Sequence, residues 1–239
     1  MSKFAALDLG HVVAAHGRHF VVESPEGQRT ICHPRGKKSE CVVGDWVRWQ
    51  ATGDEGVIEH IEPRRNLLHR QDEWKTKSFA ANLDQVLVIV AADPPFAESQ
   101  LARALIAAES AGIATHVLLN KCDLPQAGAA RARLAPYRAM GVAVHEVAMK
   151  AAPDAARAVL APLLAGKTTL VLGPSGMGKS TLINMMVPGA AAQTGEISAA
   201  LNAGRHTTTT TTWYWLDATR QAALIDSPGF QAFGLRHVE

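Results

Sequence analysis

The sequence predicts an α/β fold in two parts, a small β-barrel followed by a parallel sheet interleaved with helices. Three observations carry this. Over residues 1–68, apolar and polar positions alternate in short runs broken by glycine-containing turns. From Gln85 onward, continuous apolar runs alternate with stretches of helical spacing, the pattern of strands buried between helices. Between one such run and the next helix stands GPSGMGKS, beginning at Gly173, which fits G-x-x-x-x-G-K-[ST].

Bulk composition is consistent with this. The chain has 239 residues, 47% of them hydrophobic and 19% charged, enough for a substantial core in one large or two modest domains. It contains no apolar run long enough to span a bilayer. The start, MSKFAALDLGHVV, lacks the basic end and long apolar middle of a signal peptide, so a cytoplasmic location is expected. Cys32, Cys41 and Cys122 are too few and too scattered for a disulfide framework or a four-cysteine zinc site, and read as reduced thiols. A net charge of +2 does not by itself announce a nucleic-acid partner. Basic clusters at PRGKK (Pro34–Lys38) and RRNLLHRQDEWKTK (Arg64–Lys77) read, on charge alone, as solvated surface.

In order along the chain, HVVAAHGRHFVVE reads as a hairpin with its bend at His16–Gly17. SPEGQRTICHP reads as turn then strand, and VVGDWVRWQ and GVIEHIEP alternate as further strands. About five short strands with glycine turns suggest a barrel of the OB kind. Trp46 and Trp49 lie three apart and so point to opposite faces, one into the core and one outward, where a ring could stack on a base or pack at the rim. Residues 69–84 read as a basic linker. Strands are then predicted at Gln85–Asp93, Ala114–Asn120, VAVHEVA and Lys167–Leu172. Helices are predicted at Ser99–Gly112, Ala129–Gly141, Ala152–Gly166 and Lys179–Val187. That alternation means a parallel sheet with helices on both faces.

The loop after Lys167–Leu172 has the strand–loop–helix setting that a phosphate cradle needs. Gly173, Pro174, Ser175, Gly176, Met177, Gly178, Lys179, Ser180 and Thr181 are expected to wrap phosphates, with backbone N–H groups and the helix N-terminus facing the anion. Lys179 would reach the β- and γ-phosphates, and the Ser180 hydroxyl would bind Mg²⁺. Upstream, NKCD (Asn120, Lys121, Cys122, Asp123) ends a buried parallel strand, where open α/β sheets bind ligands. The Asp123 carboxylate can accept from guanine N1–H and N2–H₂, whereas adenine offers neither donor. Asn120 would brace the loop and reach the base, and the Lys121 stem would lie over the base plane. The rival reading of Asp123 is a helix cap. Downstream, in ALIDSPGF, Asp226 could hold a Mg²⁺-bound water and the Gly229 N–H could meet the γ-phosphate. Between phosphate loop and D-x-P-G lies GRHTTTTTTWYW. One of its threonines, Thr207 or Thr208, is expected to complete the Mg²⁺ shell, with Thr207 the first choice as metal ligand.

The motifs therefore run base reader, phosphate loop, first switch, second switch. A β-barrel followed by AANLDQVLVIVAADPPF, NKxD, GPSGMGKST, GRHTTTTTT and DSPGFQAFGL closely resembles, over essentially the whole chain, the bacterial small-subunit-dependent GTPases of the RsgA (YjeQ) type. The resemblance implies an OB-fold over 1–68 that touches ribosomal RNA and a circularly permuted Ras-like GTPase domain over 85–239. It also implies a role in late maturation of the small ribosomal subunit, with GTP hydrolysis stimulated by that subunit; apart from the resemblance, a monomer without membrane attachment is the default expectation. The family ordinarily continues into a C-terminal zinc domain. That domain is missing from the residues up to Glu239, which hold no cysteine after Cys122, so no zinc is expected in this chain. The base-contacting turn expected after VAVHEV reads AMKA (Ala148–Ala151), where backbone N–H contact with guanine remains available. Phe230 follows D-x-P-G where many GTPases carry a water-orienting glutamine; it cannot orient water, and His206 beside the threonine run is the candidate for that task. Lys179 and His206 are thus the expected catalytic pair. An ATP-using P-loop enzyme and a nucleotide-gated RNA-binding module without turnover are the alternatives.

Overall fold

In a computed structural model of the protein, residues 4–36, 40–71, 76–190 and 211–227 are described. The first five strands are β1 (Asp8–His16), β2 (His19–Glu23), β3 (Arg29–Pro34), β4 (Trp46–Thr52) and β5 (Glu55–Ile61). They close on themselves: β1 pairs β2, β2 pairs β3, β3 pairs β5 in parallel, β5 pairs β4, and β4 returns to β1. This is the small OB-like barrel predicted from the alternation. Its interior is filled by Val12, Phe20, Val22, Cys32, Val47, Trp49 and Ile58. Trp49 is 7% exposed and Trp46 43%, so the three-residue spacing does send the two indoles to opposite faces. The buried Asp45 carboxylate, just before β4, accepts from Arg64 at 2.7 and 2.8 Å and from the Val42 N–H at 2.9 Å.

A hairpin of β6 (Leu67–Gln71) and β7 (Thr76–Ala81) follows. Then come β8 (Gln85–Ala91), α1 (Glu98–Ser110), β9 (Ala114–Asn120), α2 (Ala127–Ala139), β10 (Ala143–Glu146), α3 (Pro153–Leu164), β11 (Thr168–Leu172), α4 (Lys179–Met186), β12 (Thr211–Trp215) and β13 (Ala223–Asp226). Five strands run parallel in the order β10-β9-β8-β11-β13. Every residue of β8 is buried, which is why its sequence is an unbroken apolar run and not an alternation. The carboxyl ends of β8, β9, β11 and β13 emerge along one edge and deliver Asp93, Asn120, Gly173 and Asp226 to it.

The two halves share one sheet. β12 runs antiparallel to β13 on one side and antiparallel to β1 of the barrel on the other. Eleven strands are thereby joined in a single hydrogen-bonded order. The outward face of β1 is correspondingly apolar, and Val13, Ala14 and Val21 belong to the large core of the parallel sheet, not to the barrel interior.

His11, on β1, lies at this seam. It is 4% exposed, its ring meets Trp213 edge-on with centroids 4.3 Å apart, and it also contacts Trp46 and Trp215. Its Nδ1 has no hydrogen-bond partner among the described residues. Burial pushes the imidazole down to about 4, with a backbone hydrogen bond at Gly44 acting in the opposite direction. In the unfolded chain this ring titrates near 6.5, so between those values the unfolded state binds the extra proton and stability falls as pH falls. From pH 7 to pH 5 this histidine should remove about 2 kcal/mol. Urea unfolding of wild type and His11→Phe at both pH values checks this. The variant should lose that part of the pH dependence, and an identical loss in both proteins would refute the assignment.

Candidate functional site

The phosphate-loop sequence sits between β11 and α4. Gly178, the residue preceding α4, has φ 116°. A Cβ there would come within 2.4 Å of Asn120 Nδ2 and 2.9 Å of Met149 Cε, so the position requires glycine for both backbone and space. Lys179 is folded along its own loop, donating from Nζ to the carbonyls of Gly173 at 2.5 Å and Pro174 at 3.2 Å. Burial lowers the Lys179 ammonium from its ordinary value, and the Asp226 charge partly restores it. Asp226 shows the complement: desolvation raises its carboxyl, and the Lys179 charge and the Ser227 backbone hydrogen bond oppose the rise. The lysine of the phosphate loop and the aspartate of D-x-P-G thus share one desolvated pocket edge. Their strands explain it, since Val171 of β11 lies beside Asp226 of β13.

At the other end, Asn120 closes β9 and is 4% exposed. Its Nδ2 donates to the Met177 carbonyl at 2.9 Å, and its Oδ1 accepts from the Met149 N–H at 3.2 Å. One amide therefore joins three loops: the end of β9, the phosphate loop and the turn after β10. Lys121 takes the left-handed region at φ 61° and donates from Nζ to the Asp93 carbonyl at 2.5 Å. Asp123 is exposed, and α2 begins at Ala127 with no side-chain cap, so the carboxylate is not consumed as a helix cap.

These pieces surround one cavity of about 420 Å³. Asn120, Lys121, Asp123, Ser175, Gly176, Gly178, Lys179, Ser180 and Thr181 all line it. Gly173, Pro174 and Met177 contribute through their carbonyls, which hold Lys179 and Asn120. Asp226 meets the site through Lys179. His206, Thr207, Thr208, Gly229 and Phe230 lie outside the described residues.

Three participants were not among the individually predicted site residues. Lys150 lines the cavity, and the buried Met149 lends its amide to Asn120 and not to the open space. The signal for both was AMKA, the turn expected to face the base. Ser227 is buried and donates from Oγ to the Val171 carbonyl at 3.0 Å, fastening the residue after Asp226 to the strand that feeds the phosphate loop. A serine inside S-P-G carries no sequence signal for that contact.

Against known proteins, the sequence profile of one family, RsgA GTPase, matches residues 61–236. The chain belongs to the RsgA GTPase family. A small ribosomal subunit biogenesis GTPase RsgA of Variovorax paradoxus (strain S110) is 64% identical over 230 residues, 96% of this chain and 72% of the relative. Proteins of the same name from Ralstonia nicotianae and Burkholderia pseudomallei (strain K96243) are 54% and 58% identical, each over 96% of this chain and 73% of the relative. Among solved structures, YjeQ from Thermotoga maritima aligns with TM-score 0.63 and 27% identity, covering 93% of this chain and 75% of the other. YloQ, described as a circularly permuted GTPase, aligns with TM-score 0.63 and 25% identity over 100% of this chain and 77% of the other. The family and the permuted neighbour agree with the chain order seen here, in which the base end precedes the phosphate loop.

In this RsgA family site, Asn120→Ala removes both stitches at once and leaves the Met177 carbonyl and the Met149 N–H without their partner in a dry place. Affinity for GDP should fall by about tenfold to a hundredfold, read by titration of a fluorescent GDP analogue. Affinity within twofold of wild type would contradict the bracing role.

Proposed function

We propose that this chain hydrolyses GTP to GDP and phosphate in small ribosomal subunit biogenesis, in the cytoplasm. The cycle would switch its grip on the small subunit, whose rRNA the barrel of residues 1–68 would contact. The observation that carries the reading is the single cavity that Asp123 and Lys179 both line, within an Asn120-braced loop cluster. The names of the relatives supply the biological setting.

In the mechanism, the Asp123 carboxylate accepts from guanine N1–H and N2–H₂, and the amides of residues 175–181 cradle the phosphates. Lys179 leaves the Gly173 carbonyl for the β- and γ-phosphate oxygens, where its charge offsets what develops in the transition state. The residues fit a hard divalent cation. Asp226 is a desolvated carboxylate beside the Lys179 charge, and Ser180 lines the cavity that Lys179 also lines. Ser180 and Thr207 would ligate Mg²⁺ directly and Asp226 through water, and the ion would supply positive charge that offsets the negative charge of the phosphates. Thr208 is the alternative first-switch threonine, the Gly229 N–H would meet the γ-phosphate, and His206 would orient the attacking water. Small-subunit binding would speed a slow intrinsic step.

Asp123→Asn tests the base reading. An amide replaces two acceptor positions by one acceptor and one donor, so GTP affinity should fall about a hundredfold or more. Xanthosine triphosphate, with a carbonyl at the 2-position, should gain. Wild type should ignore ATP in competition with labelled GTP, and its phosphate release should rise on addition of small subunits. Equal competition by ATP, or an unaltered GTP affinity in the variant, would sink the proposal.

A further inference from the structure

The barrel does more than sit beside the nucleotide site. A continuous row of paired residues runs from barrel to phosphate loop: Ala14 of β1 lies beside Thr212 of β12, Thr212 beside Asp226 of β13, and Asp226 beside Val171 of β11. The position of Asp226 is therefore bounded on one side by the phosphate-loop strand and on the other by a strand that leans on the barrel.

That support has a weak point. Among the described residues the β1–β12 ladder registers Thr211 and Thr212, while β12 continues to Trp215. The far end of β12 is held instead by Glu23 of β2. Glu23 is 4% exposed. Its Oε2 accepts from Arg29 Nε at 2.9 Å, which fixes the carboxylate and turns Oε1 toward the hairpin. Oε1 accepts from the Trp215 indole N–H at 2.8 Å and lies 3.6 Å from Arg220 Nη1, in the turn joining β12 to β13. The Arg220 guanidinium lies flush on the barrel turn. A Cβ on Gly27 would fall 1.9 Å from its Nη2, and it donates to the Pro25 carbonyl at 3.4 Å. Trp213 and Trp215, with centroids 5.1 Å apart, fill the space between this clamp and His11. A buried carboxylate with two guanidinium partners and an indole donor is costly to break from one side, so it defines one seating of the hairpin.

We propose that Glu23 is a positioning residue for γ-phosphate and metal recognition, acting through β12 on Asp226. This rests on the assignment of Asp226 to that end of the GTP site. The base and the first two phosphates are served by β9, the phosphate loop and α4; among the described residues none of these hydrogen-bonds to Glu23, Trp215 or Arg220, although Pro188, just after α4, lines a cavity with them. A shift of β12 therefore alters what distinguishes GTP from GDP and leaves what the two share. Displacements of about 1 Å in positioning elements are enough to cost about a hundredfold in rate.

The test uses Glu23→Gln, which removes the charge, and Trp215→Phe, which keeps an aromatic ring of smaller size and removes the N–H donor. Binding of GDP and of a non-hydrolysable GTP analogue with Mg²⁺ is measured below the melting range, together with kcat. The expected result is GDP affinity within twofold of wild type, analogue affinity lower by about fivefold or more, and kcat lower by about tenfold. The double variant should be no worse than the worse single one, because both act on one clamp. Equal changes for GDP and analogue, or no change for either, overturn the inference; should Glu23→Gln fail to fold, Trp215→Phe decides alone. A wild type that does not select guanine over adenine nucleotides would instead bring down the proposed function, and with it this inference.

Discussion

The double hydrogen bond of the Asn120 side chain is the constraint on which the rest of the site depends. The base-reading loop, the phosphate loop and the turn after β10 come from three separate parts of the chain, and nothing in their local sequences holds them at a common spacing. A buried amide with its donor on the Met177 carbonyl and its acceptor on the Met149 N–H does so. The arrangement is enforced by what it would cost to leave those groups unpaired away from water. Gly178 is the other half of the device, since any side chain there would occupy the place of the Asn120 amide.

Chain order matters little to this geometry, and sheet order matters a great deal. The parallel ladder places β11 between β8 and β13, so the phosphate loop emerges beside the ends of the strands carrying Asp93 and Asp226 wherever the chain is cut. Permutation changes which connections are short. Here β12, the strand next to β13, finds its second partner in the barrel, and one sheet then spans both halves. A mechanical relation between the barrel and the nucleotide site follows from that shared backbone.

Much of this was legible in the sequence, for identifiable reasons. The strand β9 falls on the predicted Ala114–Asn120 because both ends are marked, by a glycine turn before it and NKCD after it. β8 was visible as an apolar run, and the glycines and lysine of the phosphate loop carry their own steric logic. The outward Trp46 and inward Trp49 followed from strand period alone. What escaped was long-range and side-chain-specific. Pairing of β12 with β1 joins residues about two hundred positions apart, and the threonine run that opens β12 suits a strand or a loop equally well. Glu23 reads as an ordinary charged residue before a Ser-Pro turn; only the fold shows it buried between two arginines and an indole. The Ser227 hydroxyl likewise acquires its role from a neighbour on a different strand.

The central claim is that one guanine nucleotide is gripped at both ends in a single cavity despite the permuted chain. A crystal structure of the protein with a non-hydrolysable GTP analogue and Mg²⁺ tests it most directly. The account predicts the guanine edge on the Asp123 carboxylate, and Lys179 moved from the Gly173 carbonyl to the β- and γ-phosphates. A nucleotide bound with its base away from Asp123, or with Lys179 still on its own loop, would contradict it.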